Sequence, residues 1–216
     1  MSINETIYFI IILGVSTIGM VRYKLLTIPF KILAFSVLFT LFWEVLAEFS
    51  AVLYKTNALI SHFQGVSGYI FHAIIFYYLF RDTTLKKIVL FSIFFVVIFA
   101  VINGVFIQKA FNDFPTYVYL ITNGLSVIFC LFFFKQMLQY ALNVNIVRQS
   151  VFWYNTGILL FSATMFLNMG LTNYYAKHQW GRDIIFYLWF CNDCLLNVLI
   201  GVALLTDNKE NNIHHA

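Results

Sequence analysis

Seven long apolar runs decide what this chain can fold into. Each run has about 18 or more residues and is bounded by charges, turn residues or a proline. A bilayer accepts such runs only as helices, because every backbone N–H and C=O must find its partner inside the segment. The sequence therefore predicts an all-α polytopic membrane protein, a bundle of seven transmembrane helices. The runs lie near residues 5–21, 30–54, 58–80, 87–108, 116–139, 149–173 and 183–205.

The seven runs leave no room for a soluble domain. Of the 216 residues, 62% are hydrophobic and only 10% are charged, against roughly 25% charged in an ordinary soluble domain. We expect residues 1–206 to form a single transmembrane domain and residues 207–216 to form a short polar cytoplasmic tail. The first run lacks the basic region of a cleavable signal peptide, so it is expected to stay as the first helix.

Basic residues divide unequally between the two sides of this bundle. Nine of the 13 lie on the side where the first run ends, and four lie on the other. The positive-inside rule then places the amino terminus outside and the carboxyl terminus in the cytoplasm. The net charge of +4 is thus a topology signal and does not indicate nucleic acid as a partner. The nine are Arg22, Lys24, Lys31, Arg81, Lys86, Lys87, Lys135, Arg148 and Lys209; the four are Lys55, Lys109, Lys177 and Arg182.

Ionisable side chains interrupt the apolar runs near mid-membrane. The stretch FWEVLAEF carries Glu44 and Glu48 one helical turn apart, although a charged side chain at the bilayer centre costs roughly 2.5–3.5 kcal/mol on insertion scales. Counting ~1.5 Å per residue from the flanking charges brings several polar side chains to one central band. The candidates for ligand binding or proton sensing are Glu44, Glu48, His72, Asn123, Asp193 and Asn197.

Helical spacing places these candidates on inward-facing stripes. Glu44 and Glu48 are four residues apart, as are Asp193 and Asn197, so each pair shares one face of its helix. The opposite orientation would put carboxylates against lipid, so we expect both stripes to converge in the bundle interior, with Glu44 and His72 as a pair. The alternative is that intramembrane polar residues are packing contacts between helices, which we favour for Asn103, Asn155 and Asn168.

Motifs for metal, cofactor or catalytic chemistry are absent from the sequence. The C-x-x-C of WFCNDCLL lies inside a span with no second cysteine pair, so it does not predict a zinc site. Only His72 is expected inside the membrane, with His62 and His178 in outer loops. One histidine cannot build the three-histidine zinc site of membrane hydrolases, and the last span has no lysine for a retinal Schiff base. No P-loop, G-x-S-x-G or HExxH occurs, so we expect no metal and no cofactor.

Four stretches carry a resemblance to a known group of proteins. RYKLLTIPFKILAF, NDFPTYVYLI, SVFWYNTGILLF and LWFCNDCLLNVLIGVALL resemble poorly characterised bacterial seven-helix membrane proteins of about 200 residues. That group is similar in plan to the seven-helix input modules of sensor histidine kinases. The resemblance implies a bacterial cytoplasmic (inner) membrane location and a signalling role. Helix 7 of such proteins often has a histidine where this chain has Cys191, Asn192 and Asp193.

Three functions are compatible with this pattern. The first is a membrane sensor or signalling accessory, in which a small or lipidic ligand, or a proton, acts at the polar cluster and a separate cytoplasmic partner reads the change. The second is an intramembrane lipid-processing enzyme with Glu44 or Asp193 as acid or base. The third is a proton-coupled small-molecule carrier. The sensor is favoured over the enzyme because nothing in the sequence supplies a nucleophile.

Overall fold

The computed structural model describes residues 3–111, 113–140, 146–176 and 179–208, and the side chains of these ranges except residues 3, 140, 172–176 and 179–186. In these ranges the chain is all-helical, and its seven α-helices run in the order predicted. Their bounds are α1 Ile3–Arg22, α2 Ile28–Tyr54, α3 Ala58–Leu79, α4 Thr83–Ile102, α5 Thr116–Tyr140, α6 Ser150–Ala176 and α7 Gln179–Thr206. A π-helical turn, Asn103–Ile107, extends α4, and a 3₁₀ turn, Ile146–Arg148, precedes α6.

Each of the seven described helices is long and apolar enough to cross a membrane. The prediction of a seven-span integral membrane protein is therefore confirmed by length and composition. The helix starts follow local rules that the sequence displays. Pro29 lies in the first turn of α2 and Pro115 directly precedes α5, where the missing proline N–H costs no helical hydrogen bond.

Six of the helices form a closed ring, and α4 lies outside it. Neighbours around the ring follow the order α1, α2, α3, α5, α6, α7 and back to α1, while α4 packs on α3 and α5. The odd-numbered helices run one way and the even-numbered helices the other. We call the end of the ring where α1 begins the amino-terminal face, and the other end the opposite face.

A layer of aromatic side chains fills the interior of the ring near the opposite face. Tyr154 is completely buried, and its ring packs against Phe76 at 5.9 Å and Phe30 at 6.3 Å between centroids. Phe76 in turn packs against Phe129 at 6.0 Å. Such rings bury large areas and interlock edge to face, so this layer joins α2, α3, α5 and α6 and closes the ring below the amino-terminal half.

Four residues join α1, α2, α6 and α7 at the opposite face. They are Arg22, Thr27, Ser150 and Asp207, and we call them the Asp207 clamp. Asp207 is 2% exposed, and its carboxylate accepts hydrogen bonds from the Thr27 N–H at 2.7 Å, the Thr27 hydroxyl at 3.1 Å and the Ser150 hydroxyl at 3.1 Å. Arg22 donates to the carbonyls of Leu204 and Asp207 at 3.1 and 3.0 Å. A carboxylate at helix N-termini and a cation at a C-terminus both complement the helix dipoles.

The burial of Asp207 in the clamp corrects the predicted start of the carboxyl-terminal tail. The sequence assigns Asp207 to a polar tail, whereas the structure buries this residue among three helix ends. The expected basic residue Lys209 and the remainder of the predicted tail, to residue 216, lie outside the described residues, as do Lys177 and His178.

Candidate functional site

A cavity of about 460 Å³ occupies the amino-terminal half of the ring. All six ring helices contribute side chains to it, and α4 contributes none of the described ones. Asn4, Glu5, Asn57 and Phe114, at or beside helix starts, place its mouth at the amino-terminal face, while Ser36 and His72 lie near its floor. Its volume falls within the range of small-molecule sites, roughly 300–1,000 Å³. We call it the amino-terminal cavity.

Glu44 reaches the cavity from α2 and is held by neutral donors. Its Oε1 accepts hydrogen bonds from Gln64 Nε2 at 2.7 Å and from the Tyr8 hydroxyl at 3.4 Å. The expected hydrogen bond between Glu44 and His72 is not formed in the described structure. Gln64 and His72 are eight residues apart on α3, roughly 12 Å along the helix, and the offset between α2 and α3 brings Gln64 to the level of Glu44.

Asp193 lies on α7, which only α1 separates from α2 in the ring, and it lines the same cavity as Glu44. The two carboxyl groups are close enough to interact electrostatically, and both are within such range of the Tyr8 and Tyr119 hydroxyls. Among the described residues, no donor hydrogen-bonds to the Asp193 carboxylate, and part of its surface is accessible. The structure therefore brings these two predicted acids into one cavity.

Two amides at the cavity wall have their orientation settled by their hydrogen bonds. Asn123 is 6% exposed and donates from Nδ2 to the Tyr119 carbonyl at 2.7 Å; Asn197, also 6% exposed, donates from Nδ2 to the Asp193 carbonyl at 2.9 Å. A carbonyl can only accept, so the atom facing it must be the amide nitrogen. The Oδ1 atoms consequently point the other way, and within the described residues neither has a donor.

His72 lies at the floor of the cavity, where α3 meets the aromatic layer. Its Nδ1 is 3.2 Å from the Tyr154 hydroxyl, and the two rings pack at 6.1 Å between centroids. This hydrogen bond joins the cavity floor to the fully buried Tyr154. His72 is thus in contact with both the cavity and the layer that closes it.

Glu48 is the predicted site residue that the structure leaves apart. It lies one turn from Glu44 toward the end of α2, is half-buried, and does not line the amino-terminal cavity. The physical reason is the 3.6-residue period, since a four-residue step rotates the side chain by about 40° around the helix. Glu44 and Ala47 take the inward position, which leaves Glu48 beside it.

An aromatic wall that sequence reasoning missed lines one side of the cavity. Phe114 stacks on Tyr119 at 5.1 Å and packs against Trp189 at 5.6 Å between ring centroids, and all three line the cavity. Aromatic residues near helix ends are typical of the bilayer interface, so no sequence signal separates these three from membrane anchors. Gln64 was also missed, although a glutamine within a span is itself a polar signal.

Other expected roles fall outside the cavity. Asn155 of α6 donates to the Cys130 carbonyl of α5 at 3.2 Å, a contact between helices of the kind expected. His62, expected in an outer loop, is instead in α3 and buried, with Nε2 at 3.1 Å from the Asp113 carbonyl. The predicted run 58–80 already contained His62, and the structure places this residue in the second turn of α3, which begins at Ala58. The described residues contain no group of three metal-ligating side chains.

No protein-family model, curated protein or solved structure matches this chain. The cavity, the aromatic layer and the clamp are the features of the described structure that bear on function.

Proposed function

We propose that this protein is a membrane receptor that binds a small ligand in the amino-terminal cavity and signals to a separate cytoplasmic protein. The observation that carries the proposal is a cavity of ligand size lined by Glu44, His72, Asn123, Asp193 and Asn197, open at one face and blocked below by the fully buried Tyr154. A blind cavity that combines apolar walls with a few polar groups suits capture of a ligand from one side.

Orientation follows from charge. The excess of basic residues lies at the opposite face, so that face is cytoplasmic and the cavity opens to the outside. The resemblance to seven-helix input modules of sensor kinases supports a bacterial inner-membrane location. Exposed Lys87 and Arg148, together with Arg81, offer a cytoplasmic surface that a partner protein reads.

Helix α7 supplies the route between the two faces. It carries Asp193 and Asn197 at the cavity and ends at Thr206, directly before Asp207, the centre of the clamp. Asp193 and Asp207 are 14 residues apart, roughly 21 Å of helix. A ligand that shifts α7 would alter the hydrogen bonds of Asp207 to Thr27 and Ser150, and hence the cytoplasmic ends of α2 and α6.

The test fills the cavity with a side chain and therefore needs no identified ligand. A Cβ on Gly68 meets nothing within 4 Å, and Gly68 lines the cavity, so Gly68→Phe adds a ring inside it. Gly14 has equal room and is exposed on α1, which makes Gly14→Phe the matched control. Hydrogen exchange of residues 23–27 and 146–150, measured in lipid nanodiscs, should change in Gly68→Phe alone. Identical exchange in both variants would reject the relay through α7.

A further inference from the structure

Among the described residues, several polar atoms at the amino-terminal cavity have no hydrogen-bond partner. The buried Trp189 indole N–H is a donor. The acceptors include the Asp193 carboxylate, the Oδ1 atoms of Asn123 and Asn197, and the second carboxylate oxygen of Glu44. Asn123 and Asn197 line the cavity and are more than nine-tenths buried, so water inside the cavity or a bound ligand must supply their donors. A ligand that displaces this water leaves the acceptors unpaired, at a cost in free energy, unless it carries N–H or O–H groups of its own.

The charges at the cavity further restrict the chemical class of the ligand. Three carboxyl groups of described residues line the cavity: Glu44 and Asp193 inside it and Glu5 at its mouth. No lysine or arginine is among the described residues that line it. A cation placed between Glu44 and Asp193 stabilises the ionised form of both carboxyl groups, because opposite charges attract strongly in a medium of low dielectric constant. An anionic ligand would meet like charges there.

The aromatic wall suits the same ligand. Phe114, Tyr119 and Trp189 pack side by side along the cavity, with the Tyr119 hydroxyl within electrostatic range of both acids. Aromatic faces attract cations within about 6 Å of the ring centroid and also take the apolar part of an amine.

We infer that the ligand of this cavity is a small organic amine in its ammonium form, held by Glu44 and Asp193 through its N–H groups, with its apolar part on the wall of Phe114, Tyr119 and Trp189. This inference rests on the proposed receptor function and specifies the chemical class of the ligand. The amide oxygens of Asn123 and Asn197 accept further N–H or O–H groups of the same molecule.

The experiment measures the potential inside the cavity. Gly68→Cys is made in a chain whose Cys130, Cys191 and Cys194 are replaced by alanine, and it is labelled in nanodiscs with trimethylammonium-ethyl or sulfonato-ethyl methanethiosulfonate. The ratio of the cationic to the anionic rate cancels differences in thiolate content. Relative to the same ratio for 2-mercaptoethanol, it should be higher by at least about tenfold, because even one ionised carboxyl group near the thiol attracts the cationic reagent and repels the anionic one.

Matched variants test whether the two acids cause the higher ratio of cationic to anionic labelling. Glu44→Gln and Asp193→Asn, each of near-identical shape, should lower it toward the value for 2-mercaptoethanol. Glu48→Gln makes the same change one turn away and outside the cavity, so it should lower the ratio less than either cavity variant does. Two independent acid variants keep the test decisive if one fails to fold, as judged by size-exclusion chromatography.

A competition arm tests the ligand class directly. 2-Phenylethylammonium, 2-phenylethanol and phenylacetate share a ring and chain length, and only the ammonium compound should protect Gly68→Cys from labelling. Any other order of protection, including none, overturns the amine assignment, as does a rate ratio equal to that of 2-mercaptoethanol. If neither reagent labels the thiol, the cavity is closed to the outside and the receptor proposal itself fails, which separates the two failures.

Discussion

Replacing Asp207 with alanine tests the clamp at the opposite face. The carboxylate accepts three hydrogen bonds, the shortest from the Thr27 N–H at 2.7 Å, and is 2% exposed. Leaving that N–H without a partner costs roughly 1–3 kcal/mol. The hydroxyls of Thr27 and Ser150 rotate to other acceptors, so each adds about 0.5 kcal/mol. Asp207→Ala should therefore destabilise the fold by roughly 2–4 kcal/mol.

A control with the same bond length isolates the effect of burial. Asp82 caps α4 by accepting from the Thr84 N–H at 2.7 Å, and it is exposed. Loss of an exposed cap costs about 1 kcal/mol, because water replaces the missing oxygen. Asp207→Asn keeps one acceptor for the Thr27 N–H and should cost about 1 kcal/mol.

The measurement is the free energy of unfolding in mixed micelles titrated with sodium dodecyl sulfate, followed by near-ultraviolet circular dichroism. The order of cost should be Asp207→Ala above both Asp207→Asn and Asp82→Ala. If Asp207→Ala cost no more than Asp82→Ala, the clamp would contribute no more than an ordinary exposed cap, and the role given to it in joining α1, α2, α6 and α7 would be wrong.

Two further predictions concern packing. A Cβ on Gly19 would lie 3.0 Å from the Cβ of Ala34, so Gly19→Ala should destabilise the fold by roughly 1–3 kcal/mol. Gly14 has open space around it, so Gly14→Ala should be neutral or stabilising. The same micelle titration checks both variants, and equal effects would contradict the close approach of α1 and α2. Tyr154→Phe removes the hydroxyl that lies 3.2 Å from His72 Nδ1, so it should lower the free energy of unfolding by about 1 kcal/mol. It should also make the His72 ring less ordered, which the imidazole NMR signals report. Unchanged signals would show that the hydroxyl does not hold the ring.

Much of the fold could be predicted because the deciding physics is local. In a bilayer each span must satisfy its own backbone, so an apolar run of sufficient length predicts a helix with no knowledge of its neighbours. Helix ends differ from the predicted ones by a few residues, as in α4, which begins at Thr83 and not near residue 87. Asp82 accepts a hydrogen bond from the Thr84 N–H and so caps the helix, which places its start earlier in the chain than predicted.

The inward direction of the acids was also predictable. The cost of facing lipid is large for a carboxylate, and the structure places Glu44 and Asp193 at one cavity. The partner of Glu44 was not predictable. Whether Gln64 or His72 meets Glu44 depends on the vertical offset of α2 against α3, which the sequence of either helix alone does not encode.

By itself, therefore, the sequence determined which segments span the membrane and which of their side chains avoid lipid, since both follow from the free energy of one helix in hydrocarbon. Only the tertiary structure decided that α4 stands outside the ring, that Phe114, Tyr119 and Trp189 form one wall, and that Asp207 is buried. These outcomes depend on helix rotation and order around the ring. Both are set by side-chain packing between segments far apart in the chain, such as the approach of α1 to α2 at Gly19.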